Sequence, residues 1–231
     1  MRFQEPLVSG HFLKRYKRFF ADARLPDGQE VVVHVPNTGS MKGCLIPEAE
    51  CLLTHNNDPK RKLQYTLQFI KTPSSWVGVN THLSNKLVKE SWQKFSFLKK
   101  YTQVKPEIKV GAKTRFDFLF SAGSLYHYME VKNVTLADGD MALFPDAVTQ
   151  RGQKHLEELI KIMEKGHEAS LVFTVQRTDC VKFAPASEID PDYARLLQEA
   201  YKKGLQVWAF PMKLEQQVLE LDDQSPLELA F

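Results

Sequence analysis

Residues 128–136 read YMEVKNVTL, and this stretch decides how the chain is understood. Glu130 and Lys132 stand two apart in an apolar run, with Met129, Val131, Val134 and Leu136 around them. A strand projects residues i and i+2 to the same face, so this acid and base share a face in any register. Just upstream, TRFDFLFS (114–121) reads as a second strand. Its alternation places Phe116, Phe118 and Phe120 on one face and Arg115, Asp117 and Leu119 on the other. The turn SAGS (121–124) makes the two strands a hairpin, which brings Asp117 near Glu130 if the register suits. Two converging carboxylates form a hard, all-oxygen site for Mg²⁺ or Mn²⁺. Lys132 beside them would orient a water or neutralise the charge that builds up when a phosphodiester is cut. The plain alternative is a half-exposed strand with a surface ion pair.

Downstream, VTQRGQKHLEELIKIMEKG (148–166) has helical spacing, with Leu156, Leu159, Ile160 and Met163 as its buried stripe. Arg151 and His155 are four apart and share one face of that helix, placed for phosphate contact or for orienting water. Gly152 lets the helix pack closely. SLVFTVQ (170–176) is a continuous apolar run, hence an internal strand. PDYARLLQEAYKKG (191–204) begins with proline and ends with glycine, the punctuation of a helix, and LQVWAFPM (205–212) reads as a strand. Upstream, THLSNKLVKESWQKF (81–95) is a helix that Thr81 or Ser84 could cap. It carries Glu90 as a candidate third carboxylate. The order α-β-β-α-β-α-β predicts a mixed α/β sheet flanked by helices.

The first eighty residues read differently, as short strands and turns. YKRFFADARL and EVVVHV flank the turn PDGQ (26–29), and QYTLQFIKT (64–72) alternates Tyr65, Leu67 and Phe69 against polar neighbours. A five-stranded oligonucleotide-binding barrel accommodates this pattern. KRYKRFF (14–20) interleaves Lys14, Arg15, Lys17 and Arg18 with three aromatics, as a strand that holds phosphates by charge and stacks bases on rings. The loop PNTGSMKG (36–43) offers Asn37, Thr38 and Gly39 as an anion-binding nest of N–H groups, or simply a turn held by Asn37. The GxxxxGK[ST] spacing of a phosphate-binding loop is absent. The change of pattern places a domain boundary near residues 78–84, giving a barrel over 1–80 and an α/β domain over 81–231.

Composition sets limits. The net charge is +3, and five acids with no base follow Leu214, which reads as an acidic C-terminal tail. A mildly basic body permits a polyanionic partner. Cys44, Cys51 and Cys180 have no CxxC spacing, so neither a disulfide framework nor a zinc site is expected. No apolar run is long enough to span a membrane, and charge interrupts the N-terminal segment as in no signal peptide. A cytoplasmic protein is expected.

Four stretches, KRYKRFFADA (14–23), HVPNTGSMKGC (34–44), RFDFLF…YMEVKNVTL (115–136) and FPDAVTQRGQKHLEEL (144–159), resemble the sugar fermentation stimulation protein family over nearly the whole chain. The resemblance implies an N-terminal oligonucleotide-binding barrel and a PD-(D/E)xK nuclease-like α/β domain. It implies DNA binding without sequence preference and a role in regulating sugar (maltose) metabolism. Carried over by motif, Asp117, Glu130 and Lys132 fall on the nuclease core, and Glu90 on the helix before it. Two further readings stay open: an active Mg²⁺- or Mn²⁺-dependent nuclease on DNA or RNA, and, less favoured, a module that binds a sugar or sugar phosphate.

Overall fold

The computed structural model describes residues 1–231 apart from 112, 113 and 216. Six strands make up the first part: β1 (Val8–Tyr16), β2 (Phe20–Arg24), β3 (Glu30–His34), β4 (Glu50–His55), β5 (Tyr65–Lys71) and β6 (Trp76–Gly78). They run in the order β3-β2-β1-β4-β5-β6, and parallel pairing of β3 with β5 closes the first five into a barrel. This is the closure of the oligonucleotide-binding fold. Phe12, Val33, Leu53, Leu67 and Ile70 fill its interior. The PDGQ turn joins β2 to β3 as expected, with Gly28 at φ 87° and the Asp27 carboxylate accepting from the Gln29 N–H.

Two details of the barrel differ from the sequence reading. The β4–β5 register slips between Leu52 and Leu53, so the alternation of β5 inverts along the strand. Leu67 and Ile70 point into the barrel, whereas Phe69 packs on the second domain and Gln68 is buried. A bulge of this kind re-aims side chains. KRYKRFF is likewise no continuous strand. It ends β1, turns through Lys17 (φ 49°) and Arg18 (φ 62°), and starts β2.

The chain leaves the barrel at Gly78 and enters α1 (His82–Ser91). Thr81 occupies the N-cap position, but its hydroxyl donates to the Pro36 carbonyl of the barrel, and the Asn80 side chain accepts from the His82 N–H instead. After two 3-10 turns come β7 (Gln103–Val110), β8 (Thr114–Ala122) and β9 (Leu125–Val134). The short strands β10 (Leu136–Asp138) and β11 (Met141–Phe144) follow, then α2 (Gln150–Glu164), β12 (Glu168–Val175), β13 (Lys182–Pro185) and α3 (Pro191–Lys202). The chain closes with β14 (Gln206–Glu215), β15 (Val218–Leu221) and β16 (Glu228–Leu229).

The main sheet has the order β15-β14-β12-β9-β8-β7, with β9, β12 and β14 mutually parallel. β12 is central and buried along nearly its whole length, as its apolar run requires. Leu83, Leu87 and Val88 of α1 cover one face, against Met129, Val131 and Val172. Leu156, Leu159 and Ile160 of α2 and Leu197 of α3 cover the other, against Val134 and Phe173. β10, β11, β13 and β16 form a small separate sheet.

Three further features differ from the sequence reading. β7 precedes β8 as an edge strand. Its Pro106 and its exposed Gln103, Lys105, Glu107 and Lys109 hide the strand signal, yet they suit an edge that must not pair further. The acidic segment after Leu214 is no free tail, because β15 pairs with β14 and β16 with β13. Lys213 also pairs with Asp222 at 2.7 Å. Finally, Phe116, Phe118 and Phe120 do not share one core. Phe116 joins the α2-side cluster, and the other two join the α1-side cluster. The pleat breaks at Asp117: Pro106 and Ile108 of β7 pair with Phe118 and Phe116, but Glu107 between them adopts φ 54°.

Candidate functional site

Glu130 and Lys132 lie on the face of β9 that α2 covers, and Asp117 lies on the neighbouring strand where the pleat breaks. The β8–β9 pairing ends at Phe118 opposite Met129, and Asp117 and Glu130 stand just beyond that last pair. Asp117 Oδ2 accepts from the Val131 N–H at 2.8 Å, and Oδ1 accepts from Asn85 of α1 at 2.7 Å. Glu130 is 4% exposed. Its Oε1 accepts from Lys132 Nζ at 2.6 Å and lies 2.5 Å from His155 Nδ1 of α2. Its Oε2 is buried without a hydrogen-bond partner among the described residues.

The two carboxylates are held in different states. Burial and the neighbouring charge of Glu130 push Asp117 up to about 6. Burial also acts to raise Glu130, but Lys132 and His155 outweigh it and hold Glu130 below its ordinary value. One acid is therefore firmly ionised and the other poised to take a proton, the asymmetry of two like charges forced together.

Asp117, Glu130, Lys132 and His155 are thus brought together. Arg151 sits one turn before His155, exposed and without a charged partner among the described residues. Glu90 is not brought to the group. Its carboxylate pairs with the Met1 amine at 3.1 Å, and that amine donates to Leu219 of β15, the opposite edge of the sheet from β8. The α1 residue that reaches Asp117 is Asn85, five positions earlier. Asn85 is exposed beside the buried stripe of α1 and carries no signal of its own in the sequence. Among the described residues no cluster of three or more His, Cys, Asp or Glu is arranged around a common point. The donor set nevertheless fits a hard cation in kind: two carboxylates, one with a buried and unpartnered oxygen. Mg²⁺ commonly takes one or two carboxylates and completes its shell with water or phosphate oxygens.

The NTG loop lies at the seam between the domains. Its N–H groups already hold anionic or polar oxygens of the chain itself. Gly39 N–H donates to Asn37 Oδ1, and Met41 N–H donates to Asp146 Oδ2 at 3.0 Å, where the Ser40 hydroxyl also donates. Within the expected nest the Asn37 N–H goes to the Val35 carbonyl and the Gly39 N–H to Asn37 Oδ1, the turn held by Asn37, while Asp146 of the FPDAVT motif takes the next two residues, Ser40 and Met41. A Cβ on Gly39 would be crowded there, 3.0 Å from Asp146 Oδ2 and 3.1 Å from Asn37 Oδ1. Arg15 completes the loop. Its guanidinium donates to the carbonyls of Asn37 (2.7 Å), Gly39 (3.0 Å) and Ser40 (3.3 Å). Of the four bases in KRYKRFF, Arg15 is therefore structural, Lys14 pairs with Asp22 at 3.4 Å, and Lys17 and Arg18 are exposed at the hairpin tip.

Around that tip the barrel end is aromatic. Tyr16 and Phe20 stack at 5.9 Å, and His55 and Tyr65 stack at 4.6 Å. Phe20 pairs with His34, which pairs with Thr66. Phe19 is 44% exposed. The exposed loop before β5 adds Lys60, Arg61 and Lys62.

A barrel of oligonucleotide-binding topology, welded through the NTG loop to a mixed α/β domain with an Asp-Glu-Lys-His group, defines the class. Residues 13–79 match the family described as the SfsA N-terminal OB domain, and residues 82–218 match the sugar fermentation stimulation protein RE domain. The chain is 49% identical to a sugar fermentation stimulation protein homolog of Bdellovibrio bacteriovorus, covering 96% of this chain and 97% of that one. It is 42% identical to a homolog of Pelobacter propionicus, covering 97% and 98%. The structure of Pyrococcus furiosus SfsA in complex with Ca²⁺ superposes with a TM-score of 0.87 at 26% identity, over 100% of this chain and 98% of that one. This chain belongs to the sugar fermentation stimulation protein family. No helix among its described residues is long and apolar enough to cross a membrane.

Proposed function

We propose that this protein binds DNA through phosphate charge and ring stacking on the barrel, and that Asp117 and Glu130 hold a divalent cation, Mg²⁺ or Mn²⁺, in a nuclease-type site. One observation carries the cation: Glu130 keeps a buried, unpartnered oxygen beside a second, half-buried carboxylate. Burying such an acceptor without a partner costs about 1–3 kcal/mol, and a cation removes that cost. The relative from Pyrococcus furiosus was solved with Ca²⁺, an ion of the same oxygen-seeking kind.

A bound cation would supply Lewis-acid stabilisation of a phosphate. The chain's own residues do the rest. Lys132 sits on the ionised Glu130 and presents its ammonium to the same space. His155 fixes the Glu130 carboxylate from α2. Arg151 offers a free guanidinium for a phosphate. The nearness of Lys132 to both acids favours a second, stronger reading, cleavage of the phosphodiester, on DNA or RNA. A role in sugar metabolism would act through this nucleic-acid contact.

Calorimetric titration with Mn²⁺ and a cleavage assay on single-stranded and duplex DNA test the two readings together. Binding of one ion that Asp117→Asn abolishes supports the site. Lys132→Met should keep the ion and lose any cleavage. Absence of Mn²⁺ binding by the wild type would remove the cation, and with it the nuclease reading.

A further inference from the structure

A cavity of about 330 Å³ opens at the seam between the two domains, at the carboxyl end of the strand that carries Glu130 and Lys132. Asn37, Thr38 and Gly39 of the barrel form one wall. The end of β9 (Asn133–Leu136) and the segment Leu143–Thr149 form the others, with Thr81 at the junction. Two features of its position matter. Val134, two residues beyond Lys132 and on the same α2-covered face of β9, lines the cavity. Thr149 is the N-cap of α2, the helix that carries Arg151 and His155. The cavity also lies at the carboxyl end of β9, beside the parallel strand β12, where α/β sheets place ligands.

Its side chains make no cationic phosphate site. The lining has no cation and holds one carboxylate, Asp146, already engaged by Ser40 and Met41. Thr38, Thr81, Asn133 and Thr149 line it beside the apolar Val134, Phe144, Pro145 and Val148. Thr81 and Thr149 are engaged with Pro36 and Gly152, and the Asn133 side-chain oxygen with Ser84, which leaves the Thr38 hydroxyl and the Asn133 NH₂ group without a partner among the described residues. That mixture matches a flat heterocycle with a hydrogen-bonding edge and a sugar. The volume stands at the lower end of small-ligand pockets, enough for one nucleoside. Val148, 66% exposed at the rim, is an otherwise unexplained apolar side chain on the surface.

We infer that this interdomain cleft is a subsite for one unpaired nucleoside of a nucleic-acid strand, whose adjoining phosphate lies at Lys132 and Arg151. The inference rests on the nucleic-acid part of the function proposed above and adds the substrate class: strands with an unstacked, single-stranded or flipped nucleotide. A paired base is held in the duplex stack and enters such a pocket only by flipping out, at a cost of a few kcal/mol. It also explains why the NTG loop is so heavily fixed. Arg15 and Asp146 hold a wall of the cavity rigid from both domains.

The test is fluorescence anisotropy in Ca²⁺ with two labelled probes of equal phosphate number, a single-stranded oligothymidylate and a blunt hairpin duplex. The single strand should bind at least tenfold more tightly. Val148→Asp and Val148→Lys, which fill the rim with opposite charges, should both reduce that preference at least fivefold. Their effects on the duplex should be small and opposite in sign. Equal affinity of the wild type for the two probes overturns the inference, as does a preference that survives both substitutions. The duplex arm reports the underlying reading separately. Duplex binding with no single-strand preference leaves DNA binding standing and removes the subsite. No binding of either probe removes both. A blank Mn²⁺ titration beside a Val148-dependent preference removes the cation and keeps the subsite.

Discussion

Arg15 donates to the carbonyl oxygen of Asn37 at 2.7 Å, across 22 residues of sequence, and so fastens the end of the first barrel strand to the NTG loop. Its other donors reach Gly39, Ser40 and Arg18. All of its hydrogen bonds go to carbonyls of the chain, so the guanidinium serves as a structural fork. Burial draws its proton affinity down, and Asp146 opposes that.

Arg15→Ala should therefore act first on stability, by about 1–3 kcal/mol, the cost of removing charge-assisted hydrogen bonds from partly buried carbonyls. Arg15→Lys should recover little, because an ammonium cannot span three carbonyls as a planar fork does. Thermal unfolding of the three proteins is the measurement. A wild-type melting temperature in Arg15→Ala would assign Arg15 to the ligand instead of the loop.

Lys17 and Arg18 should behave in the opposite way. Both are exposed at the hairpin tip. The double variant Lys17→Ala/Arg18→Ala should unfold as the wild type does while binding DNA more weakly. If each base neutralises one phosphate, the slope of log K against log salt should fall by about 2 for duplex DNA. An unchanged slope would take the hairpin off the binding surface.

The seam between the domains makes a third expectation. Gly78 N–H donates to the Gln176 carbonyl at 2.8 Å, and a Cβ at residue 78 would lie 2.5 Å from Gln176 Oε1. Gly78→Ala should destabilise by about 1–3 kcal/mol through overpacking. Because the clash is with a side chain, adding Gln176→Ala should return part of that loss, a positive coupling in a double-mutant cycle. Strict additivity of the two substitutions would mean the close approach is relieved elsewhere.

These residues also show what local sequence can and cannot carry. The shared face of Glu130 and Lys132 follows from a period of two and needs no tertiary knowledge. The approach of Asp117 needed one more fact, the hairpin register, which the SAGS turn alone left open. The helices α2 and α3 were readable from spacing and punctuation. Asn85 was not, because choosing it over Glu90 depends on the rotation of α1 against the sheet. Asp146 lies 105 residues from Met41, and no periodicity links them. The edge strand β7 was masked by the proline and charges that protect it. The small sheet of β10, β11, β13 and β16 was missed because its strands have four residues or fewer.

Asp117 gives the most demanding expectation. Its carboxyl is raised to about 6 by burial and by Glu130, from an ordinary value near 4. A raised folded value means the folded state holds the proton more tightly than the unfolded chain. The stability this adds is complete below about pH 4 and is lost as pH rises through about 6, to a limit of about 3 kcal/mol. Asp117→Asn cannot ionise, so it should escape that loss. Its amide can still accept from the Val131 N–H, and Asn85 can turn its own amide to accept from the new NH₂ group. In metal-free buffer the variant's stability relative to wild type should therefore climb between about pH 4 and 6 and then level off. His127 acts the other way. Burial lowers it to about 4, with Glu168 opposing, so its contribution rises with pH over the same interval. It is common to both proteins and drops out of the difference. Adding Mn²⁺ at pH 7 should raise the wild-type melting temperature and leave the variant unmoved, since ions that bind the folded state stabilise it by mass action. A difference that stays flat with pH would show that Asp117 ionises normally. Equal stabilisation of both proteins by Mn²⁺ would place the ion elsewhere.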